Sequence, residues 1–534
     1  MRRALGRLVA SIAVLILVPA PSALAMGEAS PSAAPSSTAS GPTADELAVA
    51  ADAAAAAEDF TFYGSGFGHG LGMSQWGAYG LAQQGWTASS ILTHYYSSTN
   101  VGNAPGPARL RIGLVQGRSS VRLEASAGPV RIRLDDPRTG DVVATIPSGE
   151  TWVVRVAGSR YRIVDASGDT IDRVGGPNAP IFTDFGGARV RIPEAFHTYA
   201  RGSIEFGLYS CGASCDLRLV LEISPQEYLY GLGEVPSSWP MEAMQAQAIA
   251  ARTYAFTKAA AGQHRSGCDC ALYASSFDQV YAGWDKEAAT DGDRWVNAVD
   301  TTDRQVVEDG GDTIQAFYMS SSGGFTEDNE NVWGGTPLDY LRGVCDPGDY
   351  TTANPSATWD VTITAGEITT DLRLGIGVVT GFANADRGVS GRIMSIVVKG
   401  QDGQESISGA MLRSALALRD DRVWVDANRQ ITGAIRAKYD ALACSPGLPL
   451  SRQVAVADGH RQTFQDATIY TADASGAHEV HGPVLAAYLD AGGPGGRLGF
   501  PTTDTRRLQN GNLRSRFQHG TITCGDAGCT VTNA

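Results

Sequence analysis

The sequence predicts an α+β fold: a mainly antiparallel β domain with a few helices, followed by a small C-terminal repeat domain. Three observations predict it. Between Ala108 and Ile223, short apolar stretches alternate with polar ones at period two, bounded by Gly, Asp and Pro, as antiparallel strands do. From Pro240, a good first helical residue, the run MEAMQAQAIAARTYAFTKAAA continues without an internal Gly or Pro and reads as a long helix. In the tail, GAIRAKYDALA from Gly433 is answered by GPVLAAYLDAG from Gly482, and TFQDATIY from Thr463 by RFQHGTIT from Arg516. The period of roughly fifty residues is that of small stacked units.

With 534 residues, 43% hydrophobic and 18% charged, the chain is long enough for several domains and too apolar to be mainly disordered. Its formal charge of -14 disfavours nonspecific nucleic-acid binding, which neutralises phosphates with a basic surface. A neutral substrate such as a glycan fits better.

In chain order, Arg2, Arg3 and Arg7, the apolar run Leu8 to Val18 and the small-residue site Ala23-Leu24-Ala25 predict a cleavable signal peptide over 1–25. The run is too short for a membrane anchor, so the mature chain is expected to be secreted and without a transmembrane segment. Residues 26–58, rich in Ala, Ser, Pro, Gly and Thr, predict a disordered tether. Order begins near Phe60. Gly64, Gly66, Gly68, Gly70 and Gly72 then fall at every second position, allowing close backbone approach to a ligand, with His69, Ser74 and Gln75 displayed before a helix. A structural role for this segment is about as good a reading of the bare residues. In the strands of 108–223, Arg and Glu at alternate positions read as solvated faces.

One acid stands out. Glu234 lies between Gly233 and Val235-Pro236, on a bent backbone feeding the long helix, with Leu232, Val235 and Trp239 as apolar neighbours that disfavour its charged form. A carboxylic acid kept protonated is a proton donor; the bland reading is an acid favoured by the helix dipole. Met244, Ala248, Ala251 and Ala255 share one helix face, which predicts close packing. After Gln279-Val280-Tyr281, a strand Thr313 to Tyr318 leads into Ser321, Ser322, Gly323 and Gly324 in a turn, then Thr326 and Glu327. Eight cysteines in an exported chain predict disulfides, with Cys211–Cys215 and Cys524–Cys529 as plausible local pairs. His264, Cys268 and Cys270 could instead form part of a zinc site, a reading ranked second.

Glu234-Val235-Pro236-Ser237-Ser238-Trp239-Pro240 and Ala246-Gln247 through Ala255 resemble the SpoIID/LytB family of bacterial cell-wall proteins, with its E-[MV]-P-x-x-W-P turn and A-x-Q-A-x-A-A-R-T-Y-A helix. The segment around His69 is similar to the family's G-x-G-H-G-x-G-M-S-Q-x-G-A signature, and Ser321 to Glu327 to its S-S-x-G-G-x-T-E segment. In sporulation members the glycine-rich signature closes the domain; here it opens it, which suggests a permuted arrangement. The resemblance implies a SpoIID/LytB-like domain over 59–428, with the β-rich insertion at about 108–223. Residues 429–534 resemble two LGFP repeats, the second at Arg497-Leu498-Gly499-Phe500-Pro501, the first degenerate at Gly447-Leu448-Pro449; such repeats are thought to hold envelope proteins at the wall.

The SpoIID branch implies lytic transglycosylase chemistry on peptidoglycan glycan strands, with Glu234 as acid and then base. His69, Ser74, Gln75, Ser321, Ser322, Gly323, Gly324, Thr326 and Glu327 would bind substrate. No cofactor and no resident metal are expected. Glycosidases normally use two carboxylates, and Glu327 is the candidate partner should the enzyme be a hydrolase. The LytB name implies the alternative, a non-catalytic wall-binding protein that enhances a cell-wall amidase.

Overall fold

The alternation over Ala108 to Ile223 resolves into strands of two sheets in the computed structural model, which describes residues 59–533. The expected signal peptide and tether lie outside the described residues. In one sheet, Leu110–Arg118, Asp216–Ile223, Ser203–Tyr209 and Ile181–Asp184 run antiparallel side by side. In the other, Ser120–Ala127 lies between Thr151–Ala157 and Arg189–Ile192. Their apolar residues, among them Ile112, Leu219 and Phe206 from one sheet and Leu123, Val154 and Val190 from the other, are wholly buried in one cluster. Each such side chain stabilises the fold by about 1.5–3 kcal/mol. One alternate position departs from expectation: Arg111 is buried, and is held by Glu205 at 2.8 Å, Asp269 at 3.0 Å and Glu222. Three carboxylates replace the water it has lost.

The long helix spans Met241–Ala261, with Pro240 as its cap rather than its first turn. Burial is not confined to the expected face, since Ala246, Ile249 and Ala250 are buried along with Met244, Ala248, Ala251 and Ala255. A helix apolar all round is a core helix. It packs against Gln75–Gln83, Ala88–Tyr95, Gly292–Thr301 and the strand Gln305–Asp309.

The first described strand, Asp59–Gly64, lies between two late ones, Trp359–Thr364 and Val423–Val425, antiparallel to both. The glycine-rich stretch leaves that sheet through positive φ at Gly66, Gly68, Gly70 and Gly72. At Gly72, φ is +69° and a β-carbon would sit 2.0 Å from the Phe317 carbonyl oxygen, so only glycine lets these backbones meet. Met73–Ser74 then pairs in parallel with Tyr318–Met319. The expected strand over Thr313 to Tyr318 is broken into Asp312–Thr313 and Tyr318–Met319.

The tail forms two similar units. Helix Gly433–Ala441 precedes a four-stranded meander over 454–481, and helix Gly482–Asp490 precedes another over 506–533. All eight cysteines are paired. Cys211–Cys215 and Cys524–Cys529 are the expected local bridges, and Cys345–Cys444 ties the first helical unit to the rest of the chain. Cys268 is bonded to Cys270, and His264 reaches Asp269, so these cysteines present no thiolates for zinc. Among the described residues, no helix is long and apolar enough to cross a membrane.

Candidate functional site

Glu234 follows the short helix Pro225–Tyr230, whose start is capped by Ser224 accepting from the Glu227 amide. The chain then runs alongside residues 280–281: the Gly233 amide donates to the Val280 carbonyl at 2.8 Å, and Leu232 bridges Tyr281. This pairing aims the Val280 amide at Glu234 Oε1, 2.6 Å away. On the other oxygen, Gln75 Nε2 donates to Oε2 at 3.1 Å. Gln75 occupies the first turn of Gln75–Gln83 because Ser74 caps that helix, accepting from the Gly77 amide.

The Tyr318 side chain lies near enough to influence the Glu234 carboxyl electrostatically. Gln279 Nε2 donates to the Tyr318 hydroxyl at 2.9 Å and to the Ala251 carbonyl, while Gln279 Oε1 accepts from Tyr228. The Tyr318 oxygen is thus an acceptor from Gln279. Burial raises the Glu234 pKa above the ordinary carboxyl range, and the hydrogen bonds from Val280 and Gln75 only partly pull it back. No cation and no second carboxylate hydrogen-bonds it among the described residues. The result is a lone, partly buried acid with two neutral hydrogen-bond donors.

Aromatic rings surround it. Trp76, Tyr79 and Trp239 form one cluster, with centroids 4.8–5.4 Å apart. Beside Tyr318, Phe317 and His69 pack against Trp333, which is 54% exposed. The His69 Nδ1 accepts from the Leu71 amide at 3.1 Å. Burial, then the charges of Arg392 and Arg413, lower its pKa to about 4, so it is neutral near pH 7. Gln75 thus contacts Glu234 directly, while His69 packs against Phe317, the residue before Tyr318.

The other expected substrate contacts are interior. Ser74, Ser321 and Ser322 are wholly buried and donate to two acids the sequence reading passed over, Asp346 and Asp349. Asp349 accepts from Ser74 and Ser321, each at 2.8 Å, and from the amides of Ser322 and Gly323; Asp346 accepts from Ser322 at 2.6 Å and Tyr95 at 2.7 Å. Gly323 and Gly324 turn the chain with φ of +68° and +100°, and a β-carbon at Gly324 would meet Arg436. Thr326 Oγ1 accepts from the Val344 amide at 2.8 Å. Glu327 is wholly buried and saturated, accepting from the amides of Asp328, Val389 and Ser390, from Asn331 and from the Ser390 hydroxyl. These groups hold the turn together and have few donors or acceptors left for a ligand. The spacing Asp346-Pro347-Gly348-Asp349 was the available signal for the acid pair; burial, which decides its partners, is not written in a local motif.

Residues 214–308 match the model of the SpoIID family, described as stage II sporulation protein, and residues 447–496 match the LGFP repeat. The first match contains Glu234 and the long helix; His69, Gln75 and the double-serine turn fall outside it. The second begins at the stretch Gly447-Leu448-Pro449 and ends at Gly496, so one unit runs from one such motif to the next. The amidase enhancer of Bacillus subtilis (strain 168) is 32% identical over 26% of this chain and 17% of its own. Stage II sporulation protein D of the same organism is 26% identical over 35% of this chain and 59% of its own. An uncharacterized protein of Brachyspira hyodysenteriae is 31% identical over 29% and 40%. The chain spans less than two thirds of the length of each of these relatives.

Proposed function

We propose that this chain, which carries a SpoIID domain and an LGFP repeat, is a secreted lytic transglycosylase that cleaves the glycan strands of peptidoglycan between N-acetylmuramic acid and N-acetylglucosamine. The observation that carries the reading is Glu234: an acid with a raised pKa, two neutral hydrogen-bond donors and no carboxylate partner. Hydrolysis by the usual routes needs two carboxylates, and Glu327 is occupied elsewhere. One acid suffices when the substrate supplies its own nucleophile.

Glu234, protonated, gives its proton to the bridging oxygen as the C1–O bond breaks. The C6 hydroxyl of the muramic residue closes onto C1, and the Glu234 carboxylate takes the hydroxyl proton, which returns the enzyme to its starting state and leaves a 1,6-anhydro end. Val280 and Gln75 steady the carboxylate between the two transfers. On this reading residues 59–428 act on the strand, and 429–534 hold the protein at the wall.

Mass analysis of products from purified glycan strands tests it. Anhydro ends, absent with Glu234→Gln, are expected. Reducing ends would make the protein a hydrolase. The name of the relative called amidase enhancer favours a second reading, a wall-binding partner that stimulates a cell-wall amidase. Binding without cleavage by wild type and mutant alike, with stimulation of an added amidase, would establish that reading instead.

A further inference from the structure

Away from Glu234, a cavity of about 300 Å³ opens beside the hairpin Val379–Arg387 and Ile393–Gly400, the strand Val423–Val425 and the stretch leading to the first helical unit. Arg387, Arg429, Asn384, Trp424 and Phe382 line it, and no carboxylate does. In a chain of formal charge -14 this lining runs against the average.

The positive charge is built in. Arg387 sits 4.8 Å from the Trp424 ring centroid and the buried Arg422 5.5 Å from it, so two guanidiniums share one indole. Arg387 donates to the carbonyls of Gly391 at 2.6 Å and Val423 at 2.8 Å, which fix its plane without cancelling its charge. Burial, then the charges of Arg422 and Arg429, act against it; Asp421 acts for it but also lies 3.5 Å from Arg392. The Arg429 guanidinium makes no hydrogen bond or ion pair among the described residues. Two cations thus line a small cavity whose lining holds no carboxylate.

We propose that this cavity binds a small oxyanion, a carboxylate or a phosphate group, between the fixed guanidinium of Arg387 and the free fork of Arg429, with Asn384 as a neutral donor. Guanidinium forks match both anions in two-point contact, and a cavity at the small end of the range for ligand sites suits a group of few atoms. The site is separate from Glu234 and does not depend on the reaction proposed there.

Calorimetric titration of the full chain at low ionic strength, with inorganic phosphate and with N-acetylalanine, tests it. Saturable binding of at least one is expected, weakened at least tenfold in Arg429→Gln and unchanged in Glu234→Gln. Phosphate alone would assign a phosphate ligand, N-acetylalanine alone a peptide carboxylate. Asn384→Asp, at a position with φ of 48° that aspartate also accepts, puts a like charge at the cavity and should weaken binding as much, with no change in melting temperature. Absence of saturable binding of both probes, or unchanged affinity in the Arg429 variant, overturns the proposal.

Discussion

Gln75 Nε2 and Glu234 Oε2 meet at 3.1 Å across 159 residues of chain, so the glycine-rich opening segment and the acidic turn form one site. Because this bond favours the ionised acid, Gln75→Ala should raise the Glu234 pKa further. On the proposed mechanism Glu234 acts as general acid while protonated, so the alkaline limb of the pH–rate profile should move to higher pH. Glu234→Gln should lower turnover at least ~100-fold.

The same acid costs stability. Its folded pKa lies above the unfolded value, so the folded state binds more protons and its stability falls as pH rises through the folded pKa. Glu234→Gln removes that loss. Its melting temperature should therefore exceed that of wild type at pH 8 and converge with it at pH 4, as calorimetry can measure.

Glu327→Gln should behave oppositely. It turns an acceptor-only group facing five donors into one that presents its own N–H to them, leaving buried donors unpaired. A loss of about 1–3 kcal/mol in urea unfolding is expected, with the product ends unchanged in kind.

His69 titrates in the other direction. With its folded pKa near 4, the unfolded chain takes up the proton first, so its contribution is present above the unfolded pKa and is lost as pH falls from about 6.5 toward 4. Between pH 7 and 5 the stability of wild type should drop more than that of His69→Gln. Ring resonances of His69 should stay in the neutral form over the same interval.

Replacing Cys345 and Cys444 by Ala opens a bridge of sequence separation 99 and should cost about 2–4 kcal/mol. Limited proteolysis should then cut between the two positions faster than in wild type.

The sequence disclosed what local chemistry dictates. Gly233-Glu234-Val235-Pro236 marks a bent turn, the Ala-rich run marks the helix, and period two marks the strands. It also ranked Gln75 and His69 with Glu234, but through resemblance, since their approach depends on Met73–Ser74 pairing with Tyr318–Met319. What it hid was burial. Ser321 and Ser322 looked like exposed donors because a Ser-Ser-Gly-Gly turn is usually at the surface, whereas Asp346 and Asp349 draw both inward. Tyr318 and Gln279 were missed because neither is unusual in its own stretch; only the pairing of distant segments brings them together.

Cys345 immediately precedes Asp346 and is covalently bound to the unit that bears the repeat, while Asp349 grips the serine that caps the Gln75 helix. Were the C-terminal end anchored, tension along the polypeptide would enter through this sulfur staple. It would bear first on the aspartates that hold the double-serine turn and only afterwards on the β-sheets.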